Sequence, residues 1–453
     1  MTTDSGESTS LPLVPQPAIG GVGSGRIEQI SSFAVRYAEA QHVPFLSLYR
    51  FAIFPQLGQA SPQSGRILLP TGVVIEGLSS SASEWTAALT KMSRIPGLRF
   101  CSMLPFHGAI AARGLVTPAR RWCPPCLEQM ADTPEQLVYE PLVWRVNESP
   151  VCLEHTCRLA DCCPSCGRGE QSALSANARV GCCRHCGTWL GRASDGSVDS
   201  TISEFDRFCS YASEELIRLA QELQPGEEIL ASPVAVRGIR DVFFSGNGSA
   251  MARRIGVLPG MLNAYAIGEL PTPLHVYLRS AFVTGATMRQ IFVTQDFAVP
   301  GEPHPDAEFG LRRAKSRAKY EQERVDERLR EAIAGDGEMS VAQIAFSLNL
   351  EPVTVWRRSN ALAKRAAQKH AQFVARRSAE GKAGFVSRAR ALASQYKAAG
   401  VTPTSADFKR DLGDPGCGIN PWKRSVIDDI LAEVFDWRYM YQSPAKGEED
   451  GNA

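Results

Sequence analysis

The chain has 453 residues, of which 44% are hydrophobic and 21% charged, with a formal net charge of +1. That is the composition of a globular protein with about three or four folding units, and it excludes a molecule-wide basic field, so any nucleic-acid surface must be local. No run approaches the roughly eighteen apolar residues of a membrane span, and the polar first thirty residues lack the apolar core of a secretory signal. The expectation is a protein of a reducing cytoplasm with no membrane partner, where clustered cysteines point to metal rather than disulfides.

In chain order, residues 1–25 read as a flexible arm, with a proline-stiffened LPLVPQP and a loose GGVGSG hinge. Residues 26–115 read as a helical domain. A helix is predicted from Ile27 to Ala40 with Ile27, Ile30, Phe33, Ala34, Tyr37 and Ala38 on one stripe, and another from Ser83 to Met92. Residues 116–195 hold most of the cysteines. Residues 196–300 form a second helical domain, opening with a helix from Ile202 to Leu223. Residues 301–442 open with a charged helix over Ala307 to Ala334, and turns are expected near Leu350 to Pro352 and Gly381 to Gly384. Residues 443–453 form an acidic tail expected to be disordered. No internal repeat is evident. The fold class is mainly α and multidomain, with a central double zinc-finger module flanked by helical and helix-turn-helix domains.

Ten of the thirteen cysteines lie between Trp122 and Gly187. Zinc takes four ligands in a tetrahedron, and a CxxC turn presents two thiolates from one knuckle. Four such knuckles follow one another: Cys123/Cys126, Cys152/His155, Cys163/Cys166 and Cys183/Cys186. Sequential pairing yields one site of three cysteines and a histidine and one of four cysteines; cross-braced pairing stays open on spacing alone. Gly167 and Gly187, each just after a knuckle's second cysteine, suit a positive φ. Cys157, Cys162 and Cys182 read as spare beside better-spaced ligands, and His185 as solvent-facing. Eight ligands close two structural sites and leave no coordination position open for water. Neither HExxH nor the HxE of zinc deaminases occurs, and a lone redox pair at WCPPC fits poorly beside three further knuckles. No catalytic residue is expected.

Two segments have helix-turn-helix patterning. Over 340–365, Ser340 is a cap for a helix burying Ile344, Ala345 and Leu348, and Pro352 opens a second helix that buries Val355 and Leu362. That helix exposes Thr354, Arg357, Arg358, Asn360 and Lys364, the layout of a recognition helix in a major groove. Residues 351–400 carry eleven basic side chains against two acidic ones, enough to neutralise phosphates. The competing reading is a solvated helical face. Residues 250–292 resemble the helix-turn-helix of bacterial repressors, with a turn at Gly256, but the second helix there has Pro259 and Gly260 and no basic residue. Base reading and protein docking stay equally open for it.

The order RRWCPPCL, then Tyr139 and Trp144, then VCLEH and CCPSCG, following LPLVPQP and SSFAVRYA, resembles the TniQ/TnsD family of transposition target-selection proteins over roughly residues 11–190. The resemblance implies zinc at Cys123, Cys126, Cys152, His155, Cys163, Cys166, Cys183 and Cys186, and a bacterial, nucleoid-associated protein. It further implies selection of a transposon's target site by binding double-stranded DNA, directly or through a CRISPR surveillance complex, and recruitment of the AAA+ ATPase and transposase. A zinc-containing helix-turn-helix transcriptional regulator is the alternative; it needs the same DNA-binding helices and no ATPase.

Overall fold

The computed structural model describes residues 17–57, 69–70, 72–133, 137–169, 173–176, 178–191, 202–297, 303–304, 307–310, 322–348, 350–414, 417 and 420–435. The expected acidic tail and most of the expected arm lie outside them. The chain divides into two compact units, one of residues 1–162, 169–184 and 190–317, the other of 163–168, 185–189 and 318–453. Helix dominates at 59%, with 4% strand.

In the first unit α1 (Ile30–Ala40) starts three residues later than predicted and buries Ile30, Phe33, Ala34, Tyr37 and Ala38 of the expected stripe, and also Ser31, Ser32, Val35 and Arg36, while Ile27 is buried in the extended segment before it. A helix enclosed on all sides must satisfy its polar members internally. Ser32 Oγ donates to Glu28 Oε1 at 2.7 Å and Arg36 Nη1 to Glu28 Oε2 at 2.6 Å. Then come α2 (Phe45–Leu48), a π-helical turn at Tyr49–Ile53, α3 (Gly72–Glu76) and α4 (Ser80–Ser93). Ser79 caps α4 by accepting from Ala82 N, and Tyr49 stacks on Trp85 at 5.4 Å. A short helix, α5 (Pro124–Asp132), precedes the hairpin of β1 (Val151–Cys152) and β2 (Cys157–Arg158), in which Val151 faces Arg158 and Cys152 faces Cys157.

The rest of this unit is α6 (Glu204–Glu222), α7 (Ser232–Phe243), α8 (Gly248–Ile255), α9 (Pro259–Ile267) and α10 (Leu274–Thr284). The pair α8 and α9 meets at Gly256, whose φ of 69° forms the predicted turn. Leu262, Tyr265 and Ala266 of α9 face inward while Leu258 and Ile267 are exposed. The predicted charged helix is shorter than expected. Residues 307–310 are not helical, and Phe309 N instead donates to Arg254 O at 3.1 Å.

The second unit holds α11 (Gln322–Ala334), α12 (Val341–Ser347), α13 (Pro352–Arg358), α14 (Asn360–Ala398), α15 (Ser405–Asp411) and α16 (Pro421–Phe435). The expected turn at Gly381 to Gly384 is absent, because α14 runs through both glycines for 39 residues, about 58 Å at 1.5 Å per residue. Gly381 is there for closeness instead of bending: a Cβ on it would stand 2.5 Å from Ser165 Oγ and 3.0 Å from Ser165 O.

The long helix carries a core at each end. Val325, Leu329, Ile344, Val355, Ala363 and Ala366 form one; Phe385, Ala389, Ala393, Phe408, Ile427 and Ile430 form the other. The two repeat one pattern of helix starts, helix ends and core positions, which the sequence by itself did not reveal, although among the described residues α13 has no counterpart helix in the second. The offset that carries the start of α12 at Val341 to that of α15 at Ser405 also carries its end at Ser347 to Asp411, and the end of α11 at Ala334 to that of α14 at Ala398. It carries core onto core as well, Leu329 to Ala393, Ile344 to Phe408, Ala363 to Ile427 and Ala366 to Ile430. Even the caps correspond. Ser340 Oγ accepts from Gln343 N at 3.2 Å, and Thr404 Oγ1 from Asp407 N at 3.1 Å.

Candidate metal centre

Cys123 is the N-cap residue of α5, and Pro124 and Pro125 follow it at positions where a helix needs no amide donor. This places Cys123 and Cys126 at a helix N-terminus, where the backbone field favours thiolate. The β1–β2 hairpin brings up the other pair, Cys152 from the strand and His155 from its turn, where Thr156 has a φ of 46°. Trp122 and Ala160 exchange backbone hydrogen bonds at 2.8 and 2.9 Å, tying knuckle to hairpin.

The ligand atoms of Cys123, Cys126, Cys152 and His155 all lie within 4.8 Å of one another, as do those of Cys163, Cys166, Cys183 and Cys186. The structure thus brings the eight residues together in the sequential arrangement. The donor geometry fits a tetrahedral ion. Zinc–sulfur bonds of about 2.3 Å set ligand sulfurs about 3.8 Å apart; Cys126 and Cys152 are 3.5 Å apart, Cys163 and Cys186 3.7 Å. His155 Nδ1 stands 3.6, 3.2 and 3.7 Å from the sulfurs of Cys123, Cys126 and Cys152. Cys157 Sγ is 3.7 Å from Cys123 Sγ but does not join the cluster of four. His185 is exposed, and Gly167 and Gly187 have φ of 67° and 69°.

Arg26 is a component the sequence did not announce. Residues 27–29 pair with 140–142, as when Gln29 N donates to Glu140 O at 2.9 Å, and Arg26 at the edge of this pairing donates Nη2 to Cys126 Sγ at 3.1 Å and pairs with Glu154. Burial opposes its charge, yet the Cys126 sulfur and Glu154 outweigh burial and hold the guanidinium above its usual value. Three thiolates around one divalent ion would carry a net negative charge, which Arg26 would offset. Nothing near residue 26 signals this, because its partner is remote in sequence.

Also hidden were the buried ion pairs. Arg120 Nε donates to Glu140 Oε2 at 3.1 Å and Nη1 to Cys182 O at 2.9 Å; Arg145 Nε donates to Glu76 Oε2 at 2.6 Å. Burial pushes the Glu76 and Glu28 carboxyls above the usual range even with Arg145 and Arg36 beside them. The one available signal was charged residues inside apolar runs, as in EPLVWRV.

Residues 21–159 match the TniQ family model. The chain carries a TniQ domain over these residues. The match is narrower than the resemblance over residues 11–190: it takes in the first four ligands and ends before Cys163. No curated protein matches the chain. The TniQ domain marks the protein as transposition-associated. Among the described residues, no helix is long and apolar enough to cross a membrane.

Outside the TniQ domain, Arg357, Arg358, Asn360 and Lys364 are exposed and Thr354 is half-buried, while Val355 is buried as predicted. The second helix of this motif is broken at Ser359, whose hydroxyl donates to Asp326 Oδ1 at 2.6 Å, so Arg357 and Arg358 end α13 while Asn360 and Lys364 begin α14. Asn360 Nδ2 donates to Trp356 O at 3.1 Å.

Proposed function

We propose that the protein selects target sites for a transposon, binding double-stranded DNA and recruiting an AAA+ ATPase and, through it, the transposase. The observation that carries this is a TniQ domain on the same chain as a helix-turn-helix with an exposed basic end. The work is binding rather than catalysis. Two structural zinc ions, one on Cys123, Cys126, Cys152 and His155 and one on Cys163, Cys166, Cys183 and Cys186, hold the knuckles in place. Arg357, Arg358 and Lys364 contact phosphate or base edges, with Thr354 and Asn360 beside them.

The test is a gel-shift titration with duplex DNA, alongside a pull-down with a transposon AAA+ ATPase. Arg357→Ala and Arg358→Ala are each expected to weaken DNA binding by about 1–3 kcal/mol. Parent and variants binding alike would overturn the recognition-helix assignment. DNA binding with no ATPase capture would leave the transcriptional regulator as the better reading. Capture of a CRISPR surveillance complex, with no affinity for bare duplex, would assign target choice to guide RNA.

A further inference from the structure

The two repeats in the C-terminal unit diverge at three inward positions. The first repeat has Leu350, Trp356 and Ser359 there, packed on or beside its small core. At the same offset the second has Asp414, Asn420 and Lys423, with Asp414 and Lys423 only 5% and 4% exposed. All three polar replacements serve one target. Asn420 Nδ2 donates to Cys186 O at 2.9 Å. Lys423 Nζ donates to Asp414 Oδ2 at 2.7 Å and to Thr188 Oγ1 at 3.4 Å, and Thr188 Oγ1 lies 3.3 Å from Cys186 Sγ. With its oxygen occupied by the ammonium, the threonine hydroxyl can turn its hydrogen to the sulfur, passing positive potential to a thiolate.

The outward positions diverge too. Lys364 and Arg365 become Asp428 and Asp429, all exposed. Carboxylates there repel phosphate, so α16 is a poor counterpart to the DNA-reading helix.

We propose that the second repeat serves the metal rather than DNA: Asn420, Lys423 and Thr188 are positioning residues that hold Cys186 and offset the negative charge of the four-cysteine site, and α16 is a metal-anchored brace. This rests on the reading of Cys163, Cys166, Cys183 and Cys186 as a metal site.

Two conservative variants test it in the full-length protein loaded with zinc. Asn420→Asp keeps the side-chain oxygen that accepts from Trp422 N and Lys423 N at the start of α16, and removes the donor to Cys186 O. Thr188→Val keeps the shape and removes the hydroxyl. Competition with a chromophoric chelator resolves the two ions, and Cys183→Ser identifies which belongs to this site. Each variant is expected to weaken that ion by about 10- to 100-fold and leave the other unchanged. Release of both ions at parental affinity would refute the brace while leaving the metal reading intact; a parent protein that binds fewer than two ions would refute both. In the DNA titration Arg424→Ala on α16 is expected to bind like the parent, and a loss matching that of Arg357→Ala would also overturn the proposal.

Discussion

Glu76 and Arg145 show what a buried charge means in this fold. Both are almost wholly removed from water, Ser31 donates to the same carboxylate, and Arg145 Nη1 donates to Ala119 O at 2.7 Å. Desolvation of two ions roughly cancels their attraction, so the pair adds little net stability, whereas removing one partner strands the other. Glu76→Ala is expected to cost about 3–5 kcal/mol in a denaturant titration, and Glu76→Leu with Arg145→Met far less than that. If single and double variants cost the same, the residues do not act as a pair. At the first cluster, Cys152→Ser should lose one zinc ion by elemental analysis and Cys157→Ser none. Loss of metal from the second variant would make Cys157 a ligand.

Among the helices, α14 reverses an ordinary expectation. Glycine inside a helix is about 1 kcal/mol worse than alanine, so both glycines of α14 look like places to gain stability. Gly384 has only Arg388 Nη1 near a would-be Cβ, at 3.8 Å, while at Gly381 the Ser165 backbone oxygen is already 3.0 Å away. Gly384→Ala should therefore raise the melting temperature and Gly381→Ala lower it. A rise with both would mean that the Ser165 knuckle yields easily. The same close approach explains why the turn expected from the two glycines did not form. Packing of both ends of the 39-residue helix, with Gly381 against Ser165 between them, outweighs a local preference for bending.

For the whole molecule, a net charge of +1 means that affinity for DNA must come from a patch. If Arg357, Arg358, Lys364, Arg365 and Lys369 each neutralise a phosphate, log K against log salt should have a slope of about −4.5, and removing Arg357 and Arg358 should reduce it by about 2. A slope near zero would mean that the DNA reading of this unit is wrong.

What the sequence determined alone was what is short-range or chemically specific. The knuckle spacing predicts metal ligands because a CxxC turn is a local geometry, and caps such as Ser340 and proline starts such as Pro352 are likewise local. The order of knuckles is likewise written in the sequence, and it resembles that of the TniQ family. The long-range encounters were decided only by tertiary structure: Arg26 at Cys126, Glu76 under Arg145, Gly381 against Ser165, Asn420 on Cys186. The repeated pattern was hidden for a related reason. A small helical core asks only for apolar side chains of suitable size, so Leu329 and Ala393, or Ala363 and Ile427, occupy matching places without resembling one another.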